Sequence, residues 1–196
     1  MRLSLLLILY CSSSLSQCLH RLDLRYWIYR NIGIRCMNVN QYDKAVDYFK
    51  RSLSIDSTNA VIWHRLGICY FYKGDCINAK EAFERTIKYD STSEDAYFNL
   101  GAILIKEKKY NEAVKVLINA LKLKPDDVSA LSHLGGVYLI MEEYKKAVNI
   151  YTKVINLEPD NIEAYEGRAN AYWKLGMNKE TSADLKNAKK LRKGKD

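Results

Sequence analysis

A period of 34 residues limits what this chain can fold into more than any other feature. Glycine recurs at Gly33, Gly67, Gly101 and Gly135, and Ala169 takes the fifth place. Four positions before these stand bulky residues, at Tyr29, Trp63, Tyr97, Leu131 and Tyr165. Twelve positions after them come Ala45, Ala79, Ala113, Ala147 and Thr181, and sixteen positions after them Phe49, Phe83, Leu117, Tyr151 and Leu185. Five units that agree without an insertion predict a repeat protein whose neighbouring units cover one another's apolar faces.

Each unit is predicted to contain two α-helices. Its apolar residues are spaced by three, four and seven positions, which places them on one face of a helix. The spacing breaks once per unit, near Asn40, Gly74, Lys108, Glu142 and Gly176. The two prolines, Pro125 and Pro159, lie 34 residues apart where a unit should end. N-caps for the helix that opens the next unit are expected at Asn59, Ser93, Asp127 and Asn161.

Gly67 falls in the middle of a predicted helix, where glycine costs about 1 kcal/mol relative to alanine. Close packing must offset this cost. We expect the two helices of the unit to approach each other at this point, with Gly67 facing the small side chains of Ala79 and Thr86.

The second unit carries a recognisable pattern. It reads W-x-x-L-G-x-x-Y over residues 63–70 and continues with Ala79 and Phe83. This pattern resembles the tetratricopeptide repeat (TPR), and the resemblance extends over about 170 residues, from 26 to 195. It implies an all-α fold, a right-handed α-solenoid of five 34-residue helix-turn-helix repeats. These would cover 26–59, 60–93, 94–127, 128–161 and 162–196, after an N-terminal segment of residues 1–25.

The fifth repeat departs most from the pattern. Arg168, Ala169 and Thr181 occupy positions that are apolar, glycine or alanine in the other repeats. The second helix of this repeat is also the most polar one. A helix of this kind is expected where no further repeat covers the outer face, so we predict that it caps the array.

The resemblance to TPR proteins implies a non-catalytic scaffold that binds a peptide or an amphipathic helix of a partner protein in a concave groove. The thirteen positions that line this groove in the family, here called the groove residues, are Arg30, Ile34, His64, Arg65, Ile68, Phe71, Tyr72, Phe98, Asn99, Ile105, Leu139, Asn170 and Trp173. They are more apolar than a solvated surface requires, which suits the capture of an apolar segment. The alternative is that several of them pack against neighbouring repeats or the N-terminal segment.

Charge also varies along the predicted groove. Arg30, His64 and Arg65 are basic, whereas Glu163 and Glu166 near the other end are acidic, which could orient a bound peptide. No three consecutive repeats carry the lysines, asparagines and arginine with which the chaperone-tail receptors of this family hold a C-terminal carboxylate. That particular function is therefore not expected.

Nothing in the sequence indicates an enzyme. The three histidines, His20, His64 and His133, are far apart, and there is no HExxH, GxSxG or phosphate-binding glycine loop. The cysteines between residues 36 and 76 have neither a metal-ligand spacing nor an even number. We therefore expect no cofactor and no metal site.

The net charge of +8 is concentrated at the C-terminus. The tail from Lys186 carries six basic residues and one acidic residue, so it supplies five of the eight net charges. No aromatic residues alternate with these lysines to stack on bases, so we do not expect a nucleic-acid partner. The alternative to groove binding is that the tail contacts an anionic membrane or nucleic-acid surface.

The N-terminus resembles an export signal. Arg2 precedes an apolar run of eight residues, and small and polar residues follow it. The run is too short to span a membrane, which takes about 20 apolar residues. Cys11 or Cys18 would be the site of a lipid anchor, although neither follows a small residue. We expect an extracytoplasmic protein, secreted, periplasmic or membrane-tethered, that helps to assemble an envelope complex. The alternative is a cytoplasmic adaptor whose N-terminal helix packs on the first repeat.

Overall fold

The computed structural model describes residues 24–194, and the regular structure in that range is α-helical. Helix α1 covers residues 24–38 of the described range. The helices that follow are α2 (Tyr42–Leu53), α3 (Ala60–Tyr72), α4 (Cys76–Tyr89), α5 (Glu94–Lys106), α6 (Tyr110–Leu123), α7 (Val128–Ile140), α8 (Tyr144–Leu157), α9 (Ile162–Lys174) and α10 (Asn178–Lys193). None of the helices between residues 24 and 194 has the length and apolar character needed to cross a membrane. The predicted export signal and its cysteines lie outside the described residues.

The helices recur with the period of the sequence. Helices α3, α5, α7 and α9 begin 34 residues apart, and each is followed by a second helix of 14 to 16 residues. The predicted all-α fold of helix pairs is confirmed. The described residues form two compact units that divide between Ser91 and Thr92. In the first unit α3 packs against α2 and α4, and in the second unit each helix from α5 to α9 packs against the helix that follows it.

One residue in a left-handed conformation ends the first helix of every pair. These residues are Asn40 (φ 58°), Gly74 (φ 79°), Lys108 (φ 59°), Glu142 (φ 60°) and Gly176 (φ 75°). The N–H of the next residue donates to the carbonyl five positions earlier at 2.8–2.9 Å, which satisfies an otherwise free carbonyl at the helix end. They are the residues at which the sequence spacing breaks, so the predicted ends of the first helices are confirmed.

Three of the four predicted N-caps act as caps through their side chains. Asn59, Asp127 and Asn161 each accept a hydrogen bond from the N–H three residues later, at 2.9–3.1 Å. Ser93 occupies the N-cap position of α5, but its hydroxyl makes no such bond. The first turn of α5 instead carries acidic residues, including Glu94, whose charge interacts favourably with the N-terminal end of the helix dipole.

The predicted surroundings of Gly67 are wrong. A Cβ atom added to Gly67 would lie 2.8 Å from the ring of Phe83, and neither Ala79 nor Thr86 is among its nearest neighbours. Equivalent contacts join Gly33 to Phe49, Gly101 to Leu117 and Gly135 to Tyr151. The glycine therefore leaves room for a large side chain of the second helix, and the burial of that side chain offsets the low helix propensity of glycine.

The fifth pair of helices uses a buried ion pair in place of an apolar contact. The Nε and Nη2 atoms of Arg168 each donate to Asp184 at 2.8 Å, and Nη1 donates to the Thr152 hydroxyl at 3.0 Å. Leu185, which the column pattern places in the core, is 51% exposed, whereas Asp184 is 3% exposed. That placement of Leu185 is therefore wrong. The Cβ of Ala169 occupies the space that glycine leaves for a large side chain in the other pairs.

Candidate partner-binding surfaces

The groove residues all lie on the first helices of their pairs, and the structure buries none of them completely. Helix α1 carries Arg30 and Ile34; α3 carries His64, Arg65, Ile68, Phe71 and Tyr72; α5 carries Phe98, Asn99 and Ile105; α7 carries Leu139; and α9 carries Asn170 and Trp173. Their distribution over two units means that each unit presents its own part of the predicted surface.

An exposed group of three aromatic side chains marks the first unit. Tyr72 is 65% exposed and Phe71 is 39% exposed. The ring of Tyr42 stacks on Tyr72 with a centroid distance of 5.3 Å and an interplanar angle of 9°, and Phe71 meets Tyr72 edge-on at 6.1 Å. We call these three residues the tyrosine patch. Sequence reasoning missed Tyr42 because it lies on the second helix of its pair, although tyrosine recurs in its column at Tyr110 and Tyr144.

The other groove residues of the first unit are half-buried. The His64 ring lies 5.6 Å from the ring of the buried Phe83, so His64 contributes to the packing of α3 against α4. Arg30, Ile34, Arg65 and Ile68 remain partly accessible. The Nε atom of Arg30 makes no hydrogen bond within residues 24–194.

In the second unit the structure brings two aromatic rings of neighbouring pairs together. Phe98 of α5 and His133 of α7 meet edge-on with their centroids 5.0 Å apart, and Nδ1 of His133 lies 2.9 Å from the Ser129 carbonyl oxygen. Phe98 also lines a cleft of about 140 Å³ that includes Asp127. Burial alone would raise the pKa of Asp127. Hydrogen bonds from the Ala130 N–H and from Lys124 outweigh it and hold the pKa below its usual value.

Trp173 is the most exposed groove residue of the second unit, at 59%. The Lys174 ammonium lies 4.8 Å from its ring centroid, within the range of a cation–π contact. Asn170 is exposed, and Ile105 and Leu139 are half-buried. The charge pattern predicted from sequence changes here, because Arg192 of α10 pairs with Glu166 at 2.6 Å. Of the two acidic residues in that prediction, Glu166 is therefore neutralised locally.

The described residues contain no arrangement suited to catalysis by a thiol or a metal. Between residues 24 and 194 no three His, Cys, Asp or Glu side chains are grouped so as to hold a metal ion. Cys36, Cys69 and Cys76 are free thiols. Burial raises the pKa of Cys69 to about 11, against a smaller opposite effect of Arg65. Its thiol therefore stays protonated, and unreactive as a nucleophile, at neutral pH.

One family model matches most of the chain. It is described as the cilia and flagella-associated protein 70 middle TPR-like domain, and it matches residues 33–192. A search of the curated proteins found no match.

Solved structures of TPR proteins resemble the chain over most of its length. A crystal structure of MamA protein is 29% identical, with a TM-score of 0.83, and the match covers 87% of this chain and 93% of that one. MamA 41-end from Desulfovibrio magneticus RS-1 is 24% identical, with a TM-score of 0.82 and coverage of 88% and 97%. YrrB, described as a TPR protein with an unusual peptide-binding site, is 21% identical, with a TM-score of 0.77 and coverage of 83% and 84%. The last two likenesses bear on the fold alone.

Proposed function

Because the chain belongs to the TPR-like family of the cilia and flagella-associated protein 70 middle domain, we propose that it is a non-catalytic scaffold for protein–protein interaction. Its partner supplies a peptide or an amphipathic helix with apolar side chains, which the groove residues contact. Function has to be argued from a site as well as from a fold.

The tyrosine patch is the observation that carries this proposal. Tyrosine and phenylalanine are enriched at protein interfaces because they bury a large apolar area and lose little side-chain entropy. Here the three rings touch one another, while Tyr72 keeps 65% of its surface exposed. Burial of Phe71 and Tyr72 by a partner would remove this apolar surface from water, at about 25 cal/mol per Å². Phe98 and Trp173 provide apolar contacts of the same kind in the second unit.

Affinity capture from the native host tests the proposal. The wild-type protein is compared with the Phe71→Glu and Phe98→Glu variants and with the double variant, each first shown by thermal melting to stay helical and cooperative. We expect a partner that the wild type captures and the double variant loses, with binding of the purified partner at least tenfold weaker for each single variant.

Ile77→Glu is the matched control, because Ile77 is 80% exposed on α4 and is not a groove residue. It introduces the same charge at an exposed apolar position and should leave capture unchanged. Capture of the same partners by the wild type and by the double variant would contradict the proposal.

The compartment is a separate part of the proposal. We place the protein outside the cytoplasm, in the assembly of an envelope complex, on the strength of the apolar run that follows Arg2. Mass spectrometry of the mature N-terminus tests this part. A new N-terminus or a lipid on Cys11 or Cys18 would support it, and an intact Met1-Arg2 would favour the cytoplasmic adaptor.

Contact of the basic tail with an anionic surface is the alternative, and salt separates it from groove binding. Four lysines of α10 are exposed, at Lys186, Lys189, Lys190 and Lys193. Binding through these charges should weaken steeply between 50 and 200 mM salt. Binding through the tyrosine patch should change little over that range.

A further inference from the structure

A cleft of about 400 Å³ lies between α2, α3 and α4 of the first unit, and we call it the Trp63 cleft. Trp63, Leu66 and Tyr70 of α3 line one side of it. Successive helix residues are rotated by about 100°, so these three residues lie on the face of α3 opposite to Ile68 and Phe71. The Trp63 cleft is therefore separate from the groove residues.

The cleft is open because of one small residue. Ala82 lines it, and the residues in the same column of the other repeats are Tyr48, Val116, Ile150 and Asp184. In the fourth repeat, Ile150 packs against the hydrophobic core there. Alanine is the smallest side chain in this column, so the space that Ile150 fills in its own repeat is left empty in the second repeat.

The inside of the cleft is apolar and its polar groups are already engaged. The indole N–H of Trp63 donates to the Ser57 carbonyl at 2.8 Å. The amide of Asn78, another residue of the lining, donates to Asp75 at 2.6 Å. What remains to be filled is space between rings and aliphatic side chains, which suits one bulky apolar side chain rather than a polar ligand.

The mouth of the cleft carries more positive than negative charge. The Lys50 ammonium lies 5.7 Å from the centre of the Tyr70 ring, and the Arg85 guanidinium lies 5.8 Å from the centre of the Trp63 ring. Glu81 also lines the cleft, but its carboxylate is 3.5 Å from Arg85. Within residues 24–194 Lys50 makes no ion pair. A carboxylate that enters beside the apolar side chain would supply one.

We infer that the Trp63 cleft is a second binding site, which takes a bulky apolar side chain of a partner protein segment flanked by acidic residues. The apolar side chain fills the space above Ala82, and the adjacent carboxylate pairs with Lys50. The inference does not depend on the proposed role of the groove residues, because the two surfaces lie on opposite faces of α3.

Nuclear magnetic resonance of the full chain tests the inference, with two short peptides as probes. One is N-acetyl-Asp-Phe-Asp-amide and the other is N-acetyl-Lys-Phe-Lys-amide. The indole N–H resonance of Trp63, assigned with the Trp63→Phe variant, reports binding at the cleft. We expect the acidic peptide to shift this resonance in a saturable way and to bind at least tenfold more tightly than the basic peptide.

Ala82→Ile is the decisive variant, because isoleucine is the residue that the column holds at Ile150. It should fill the cleft and abolish the shifts, while the melting temperature stays equal or rises. Ala82→Val, with the residue of Val116, replaces it if the larger side chain prevents folding. Lys50→Glu should remove the preference for the acidic peptide, and Lys44→Glu on the same helix, outside the cleft, should not.

Two outcomes would overturn the inference. The first is that the folded Ala82 variants bind the acidic peptide as well as the wild type does. The second is that Phe71→Glu, rather than the Ala82 variants, removes binding, because this would place the peptide on the tyrosine patch. The second outcome would leave the proposed function of the groove residues standing while it removed the cleft as a site.

Discussion

At the turn between the helices of each pair, one residue adopts a left-handed backbone conformation whatever its side chain. Glycine adopts it without a steric penalty at Gly74 and Gly176, whereas Lys108 and Glu142 have φ values of 59° and 60° with a Cβ atom in place. For a residue with a Cβ this conformation costs about 1–2 kcal/mol. The turn persists there because helices on both sides determine it.

Glycine at either of these turns should therefore stabilise the protein. We predict that Lys108→Gly and Glu142→Gly each raise the free energy of unfolding by about 0.5–1 kcal/mol, after allowance for the greater freedom of glycine in the unfolded chain. Urea denaturation followed by circular dichroism measures this change. The reverse substitution, Gly74→Ala, should lower stability by a similar amount. A loss of stability in both glycine variants would contradict the prediction.

Two adjacent glycines of α7 should respond in opposite ways to alanine. A Cβ on Gly135 would lie 2.9 Å from the buried Tyr151 ring, whereas a Cβ on Gly136 would be 3.8 Å from its nearest neighbour. We predict that Gly135→Ala lowers the free energy of unfolding by about 1–3 kcal/mol through overpacking. Gly136→Ala should raise it by up to about 1 kcal/mol through helix propensity.

The pair is its own control, because both changes add one methyl group to the same helix. Denaturation curves of the two variants decide the matter. If Gly135→Ala were as stable as Gly136→Ala, the glycine column would not be explained by the ring that it accommodates.

At the scale of the helix pair, the fifth repeat replaces apolar packing by charge. Arg168 and Asp184 have side chains that are 16% and 5% exposed, and they are joined by two hydrogen bonds of 2.8 Å. This contact raises the pKa of Arg168, with the hydrogen bond to Asp184 as the largest cause. A buried pair of this kind fixes the partner of each group, although it need not stabilise more than an apolar contact would.

Removal of one partner should therefore cost more than removal of both. We predict that Asp184→Ala lowers the free energy of unfolding by about 3–5 kcal/mol, because it leaves the Arg168 charge buried without its carboxylate. Arg168→Leu combined with Asp184→Ala should recover most of this loss, since leucine is the residue of the same column at Leu66, Leu100 and Leu134. Equal destabilisation by the single and double changes, measured by urea denaturation, would rule out this account.

The sequence predicts helices and their ends better than it predicts which side chains meet. The period, the prolines and the breaks at Lys108 and Glu142 are local signals, and the structure follows them. The partner of Gly67 was mispredicted because the reach of the Phe83 ring depends on side-chain volume and not on the size of residues in a column. Leu185 was misplaced because spacing alone does not register that Arg168 requires a buried partner.

The candidate surfaces differ in the same way. The positions of Phe71 and Tyr72 on a first helix follow from the family pattern. The contact of Tyr72 with Tyr42 does not, because it joins residues 30 positions apart on helices of different pairs. The Trp63 cleft depends on a volume difference at Ala82 that is visible in the aligned repeats only once the packing shows which side of the helix that column faces.

For the molecule as a whole, repeat architecture makes stability a sum of local terms, because each helix contacts mainly its neighbours along the chain. A destabilising change should therefore be felt most strongly near its own position. We predict that Asp184→Ala increases amide hydrogen exchange in α9 and α10 by at least tenfold and changes exchange in α3 and α4 by less than threefold. A Gly67→Ala variant, whose Cβ would meet the Phe83 ring, should give the opposite pattern. Hydrogen exchange followed by mass spectrometry resolves these segments, and a uniform increase across all of them in both variants would mean that the chain unfolds as one cooperative unit.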